Sequence, residues 1–107
     1  QPTRAREVEA LIAQLSSQRL HETVTKLSSY PNRYYENESG REAAEWIADR
    51  FRALAGRRSD VQVELFAHRF RMPSVIARIP GQGPLAHEVV VLGAHADSIN
   101  HNGFFPN

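Results

Sequence analysis

Glu88-Val89-Val90-Val91-Leu92-Gly93-Ala94-His95-Ala96-Asp97-Ser98 is the stretch on which the fold turns. Val89, Val90, Val91 and Leu92 are consecutive and apolar, without the alternation of a strand that has one wet face. They predict a strand over Glu88 to Ala94 that is buried on both sides. Such strands belong to sheets covered by helices, which makes the expected fold class α/β. Gly93 and Ala94 then lead into His95 and Asp97 at the C-terminal end of the strand. In open α/β sheets that edge collects ligands and active sites.

Working outward, Val61, Val63 and Leu65 alternate with Gln62 and Glu64, the pattern of a half-exposed strand. Ser74 to Ile79 alternates less cleanly through Val75, Ala77 and Ile79. The two are expected to pair as antiparallel neighbours joined around Arg71-Met72-Pro73. Upstream, Val8, Leu11, Ile12 and Leu15 recur at helical spacing, and Ser16-Ser17 supplies a break and a new N-cap. A second helix carries Leu20, Val24 and Leu27 on one face and ends near Tyr30-Pro31. Asn32 to Glu38 reads as a loop. Ser39-Gly40-Arg41-Glu42 fits a capping box, followed by a helix with Ala43, Ile47, Phe51 and Leu54 as its stripe and Trp46 in the core. Gly56 stops it. Three helices followed by three strands predict a mixed β-sheet flanked by helices.

The 107 residues amount to one domain at most, with the composition of an ordinary globular chain, 41% hydrophobic and 23% charged. No apolar run approaches the roughly 20 residues that span a bilayer, so no membrane role is expected. Arg4, Arg6, Glu7 and Glu9 interrupt the first apolar residues, so no signal peptide is legible. A sequence opening at Gln1 reads as an already processed chain. A net charge of +1 supplies no field for nucleic acid, and Lys26 is the only lysine among Arg-dominated cations. There are no cysteines, so any metal must be held by His, Asp or Glu.

The spacing of His95 and Asp97 has a direct physical reading. Residues i and i+2 of an extended segment face the same side, so the two side chains can meet. One imidazole nitrogen would ligate zinc while the other donates its N–H to the Asp97 carboxylate, fixing the tautomer and raising ligand basicity. His-x-Asp alone also occurs at surface and structural positions; its place at a strand end is what singles it out. His101, four residues beyond Asp97, is assigned to a loop outside the site. His21, His68 and His87 have no carboxylate at ligand spacing and read as surface or structural residues. Tyr34 and Tyr35 read as packing on the core. Asn37-Glu38-Ser39 matches a glycosylation sequon, which has meaning only in a eukaryotic secretory pathway.

Val89 to Asn100, with its Gly93-Ala94-His95-Ala96-Asp97-Ser98 centre, resembles the first metal-ligand segment of secreted two-zinc aminopeptidases of the bacterial leucyl aminopeptidase type and their fungal relatives. The likeness continues upstream. Leu27-Ser28-Ser29-Tyr30 leading into Asn32-Arg33-Tyr34-Tyr35 is similar to the segment before the family's long helix. Ser39-Gly40 with Ala44-Glu45-Trp46-Ile47 resembles the start of that helix, and Ser74 to Gly81 the strand before the metal strand. These landmarks follow the family's order over residues 25 to 100.

The resemblance implies a zinc exopeptidase fold and a secreted metallo-aminopeptidase acting on peptide substrates. It implies two Zn2+ ions per complete site, sharing a bridging carboxylate and a water, with a glutamate as general base. His95 takes the position of one zinc ligand and Asp97 that of its orienting carboxylate. The family's remaining ligands and its base all fall after the point equivalent to Asn107. Residues 1–107 are therefore expected to be the N-terminal portion of one catalytic domain, inactive alone. A companion chain would carry the remainder, with a nick or continuation after Gly103-Phe104-Phe105-Pro106-Asn107. Two alternatives stay open: a glutaminyl cyclase-like relative with a single zinc and acyl-transfer chemistry, and a non-catalytic homologue serving as an interaction domain.

Overall fold

A computed structural model describes residues 4–100. Its elements run α1 (Ala5–Ala13), α2 (Ser17–Ser28), α3 (Glu38–Ala55), β1 (Gln62–Phe66) and β2 (Ser74–Arg78). The periodicities place all five correctly. The Ser16 side chain caps α2 by accepting from the Arg19 N–H at 3.2 Å. Gly56 ends α3 at φ 58°, a left-handed conformation that a side chain would strain.

The start of α3 differs from the expected capping box. Asn37 is the N-cap and its side chain makes no capping bond, while Ser39 lies inside the first turn. The Ser39 hydroxyl donates instead to the Asn32 carbonyl, stitching the preceding loop to the helix. Gly40 explains the preference. A Cβ there would stand 2.4 Å from the Tyr34 carbonyl oxygen, so the loop approaches the helix more closely than any side chain permits.

β1 and β2 form a two-stranded antiparallel sheet in the register Val63↔Ala77 and Leu65↔Val75. Among the described residues this is a small α/β arrangement of three helices and one hairpin. Val63, Val75 and Ala77 share one face and are half-buried, and α3 packs over both strands. The opposite face carries Gln62, Glu64 and Arg78, and Arg78 pairs with Glu64 at 3.3 Å. That exposed pair contributes at most about 1 kcal/mol.

The expected third strand is not there. Residues 88–96 have no regular secondary structure, and Val89, Val90, Val91 and Leu92 are exposed, Leu92 by 95%. The physical reason is pairing. A strand buried on both faces needs hydrogen-bonded neighbours and covering layers, and none of the described residues pairs with this segment. Among the described residues there is thus neither a third strand nor a mixed sheet.

The core is correspondingly thin. Ala43, Ala44, Ala48 and Met72 are its buried apolar residues, and among the described residues no large side chain is fully buried. Trp46 is half-buried rather than enclosed, and Phe51 and Leu54, expected on the packed stripe, are exposed. The radius of gyration is 16.8 Å, against roughly 13 Å for a closed domain of about 100 residues. Apolar surface on α1, α2 and α3 has nothing covering it in the described residues.

Two measurements check this description. Gly40→Ala should lower the thermal midpoint, since the clash with Tyr34 costs about 1–3 kcal/mol and outweighs a helix-propensity gain of about 1 kcal/mol. An unchanged or raised midpoint contradicts the close approach. The Tyr34 hydroxyl is pushed up to about 12, first by its hydrogen bond to Tyr35 and then by burial and nearby negative charge. A folded-state value above the unfolded one is a stabilising contribution that is lost as pH rises from about 10 through about 12. Phenolate absorbance should show a tyrosine ionising near 12 that Tyr35→Phe returns toward 10.

Candidate metal centre

The residues around His95 are held by long-range hydrogen bonds. Arg33 and Ser98 form an isolated antiparallel bridge, with the Arg33 N–H to the Ser98 carbonyl at 3.0 Å and the reverse bond at 3.1 Å. The Arg33 guanidinium adds a bond from Nε to the Ala96 carbonyl at 3.1 Å and another from Nη1 to the Leu27 carbonyl at the end of α2. Ala96 is half-buried, while His95 and Asp97 on either side of it are exposed. Ala96 is the one residue of the 91–100 stretch that turns toward the body of the molecule.

His95 and Asp97 meet as their spacing requires. His95 Nδ1 lies 3.0 Å from Asp97 Oδ1, a hydrogen bond in which the imidazole N–H donates to the carboxylate. In the neutral ring with Nδ1 so engaged, the lone pair is on Nε2, and the His95 side chain is 94% exposed. An accessible Nε2 on a carboxylate-braced imidazole is the arrangement of a metal-ligating histidine, and this pair fits one zinc ligand and its support. The described residues contain no group of three His, Cys, Asp or Glu able to hold a metal by itself. A catalytic zinc held by His95 would therefore need further ligands beyond those the described residues bring together.

Two cavities flank residues 93–96. The first, about 610 Å³, is lined by Tyr35, Phe70, Met72 and Ser74 together with His95 and Asp97. The second, about 550 Å³, lies among Leu27, Trp46, Phe51, Val75 and Leu92. Both have β2 on one side and the His95 segment on the other. Tyr34 and Tyr35 do not enter a closed core. They pack edge to face, ring centres 4.6 Å apart, and Tyr35 packs edge to face on Phe70 at 5.0 Å. His68 stacks on Phe70 at 4.7 Å and reaches Ser74 Oγ at 2.7 Å. His21 is exposed on α2 and His87 is exposed in the 79–96 segment. His101 and Gly103 to Asn107 lie outside the described residues. Among the described residues no helix is long and apolar enough to cross a membrane.

Sequence reasoning gave Arg33 no role beyond the resemblance. Its partners, Ala96 and Ser98, lie more than 60 positions away, and no periodicity or local spacing reports such a contact.

No family model matches the chain. Individual proteins do. It is 40% identical over 96 residues to a probable leucine aminopeptidase of Arthroderma benhamiae, an overlap of 90% of this chain and 26% of that protein. It is 41% identical over 97 residues to leucine aminopeptidase 1 of Arthroderma gypseum, covering 87% of this chain and 25% of the relative. A probable leucine aminopeptidase of Trichophyton verrucosum is 38% identical over 94 residues, 88% of this chain and 26% of that protein. The chain spans about a quarter of the length of these curated relatives. Over nearly all of its own length, then, it is homologous to fungal proteins named leucine aminopeptidase.

Proposed function

We propose that this chain is the N-terminal portion of a zinc-dependent aminopeptidase that hydrolyses N-terminal residues from peptides through a metal-activated water. The observation that carries the reading is the 3.0 Å bond between His95 Nδ1 and Asp97 Oδ1, which leaves Nε2 accessible. The similarity to proteins named leucine aminopeptidase supports the substrate class.

In this reading His95 is one ligand of a two-zinc site of the bacterial leucyl aminopeptidase type. Bound zinc supplies Lewis-acid polarisation of the scissile carbonyl and a water acidic enough to be a nucleophile near neutral pH. The chain's own contribution is positional. Asp97 holds the His95 ring in one tautomer and orientation, so that Nε2 presents its lone pair at a fixed place. The remaining ligands and the general base come from further polypeptide, either a continuation or a companion chain.

The exposed apolar surface supports that requirement. Burying Val89, Val90, Val91 and Leu92 would contribute about 1.5–3 kcal/mol each, as an upper estimate. The two cavities between β2 and residues 92–96 have room for the covering residues. Filling them would complete the mixed, helix-flanked sheet of a zinc exopeptidase around the His95 segment. The reading includes release of the enzyme outside the cell and no role for nucleic acid, consistent with the near-neutral charge.

In the complete enzyme His95→Ala should lower zinc content and abolish most of the chelator-sensitive release of free N-terminal amino acids. Asp97→Asn should weaken both by about 10–100-fold. Zinc content and rates at wild-type level in His95→Ala would refute the assignment. A single zinc per site with a cyclised N-terminus as product would instead indicate the glutaminyl cyclase-like chemistry.

A further inference from the structure

We infer that Arg33 is the positioning residue that aims the Asp97 carboxylate at His95, an inference that rests on the zinc reading of that pair. Asp97 sits between two anchored residues. Its predecessor Ala96 is gripped at the carbonyl by Arg33 Nε at 3.1 Å, and its successor Ser98 by two backbone bonds at 3.0 and 3.1 Å. One residue thus fixes the backbone on both sides of Asp97, and from that fixed backbone the carboxylate reaches His95 Nδ1 at 3.0 Å.

The same guanidinium reaches the Leu27 carbonyl, one of the last four of α2, which have no partner within the helix. Its positive charge there is favoured by the negative end of the helix dipole. Arg33 therefore transfers the rigidity of α2 to the site. A lysine cannot replace it, because a single ammonium on a flexible stem lacks the planar fork that bonds two carbonyls at fixed angles. Replacing Arg33 by Lys or Ala leaves the two backbone bonds to Ser98 available while removing the guanidinium contacts.

The test compares full-length wild type, Arg33→Ala, Arg33→Lys, Asp97→Asn and the Arg33→Ala/Asp97→Asn double variant. Zinc affinity is measured by competition with a chromophoric chelator, ligand geometry by the visible spectrum of the Co(II)-substituted protein, and stability by the thermal midpoint of the metal-free form. Arg33→Ala and Arg33→Lys should each weaken zinc binding about tenfold, the lower end of the range for outer partners of metal ligands, and alter the cobalt bands. On the Asp97→Asn background the same change should cost less than about twofold, since Arg33 acts through that carboxylate. Arg33→Lys retains the aliphatic stem and the charge, and keeps the test decisive if Arg33→Ala does not fold. Variants that lower only the thermal midpoint, with wild-type zinc affinity and cobalt spectrum, would overturn the inference while leaving the zinc reading intact. So would a full tenfold loss on the Asp97→Asn background. A wild type that takes up neither metal would overturn the zinc reading itself, and this inference with it.

Discussion

The backbone bridge between Arg33 and Ser98 is the constraint on which the candidate site depends. Residues 79–96 form no ladder with the hairpin, so the His95 segment has no sheet register to hold it. What holds it is a pair of main-chain bonds and a guanidinium, all from one loop residue between α2 and α3. That loop is itself fixed. The Ser39 hydroxyl bonds the Asn32 carbonyl, Gly40 lets Tyr34 press against α3, and the Met72 N–H bonds the Tyr35 carbonyl at 2.8 Å. Loop 32–35 therefore links α3, the approach to β2 and the His95 segment. The His95–Asp97 pair inherits its place from these contacts.

The second determinant is incomplete burial. A core of three alanines and a methionine is small for a chain of this length. Trp46, Ile47, Phe51 and Leu54 of α3, Val75 of β2 and Leu92 line one open cavity. Alanine at positions 43, 44 and 48 allows α3 to lie close on the hairpin, while Phe51 and Leu54 at its far end remain exposed. Val89, Val90, Val91 and Leu92 remain exposed beside this small core.

Much of this was legible in the sequence because the signals are local. Helical spacing marked α1 to α3, alternation marked β1 and β2, and Gly56 marked the stop of α3. The i,i+2 rule brought His95 and Asp97 together without any tertiary information. The misreadings share one cause: each depends on a partner distant in the sequence. Ser39 fits a capping box locally, but its hydroxyl finds the Asn32 carbonyl of the packed loop. Val89 to Leu92 carry the composition of a buried strand, yet strand formation is a property of pairs, and the described residues offer no pair. Arg33 reads as an ordinary loop cation until its contacts with Ala96 and Ser98 are known. Trp46 reads as core, and is half-buried on the wall of an open cavity.

The central claim is that the accessible nitrogen of His95 is a zinc ligand braced by Asp97. Crystals of the full-length protein, with diffraction collected on both sides of the zinc absorption edge, test it most directly. The account predicts an edge-dependent anomalous peak at bonding distance from His95 Nε2, about 2.0–2.1 Å, with Nδ1 still bonded to Asp97. A zinc-replete crystal with no such peak beside His95, or with the imidazole turned away from Asp97, would contradict it.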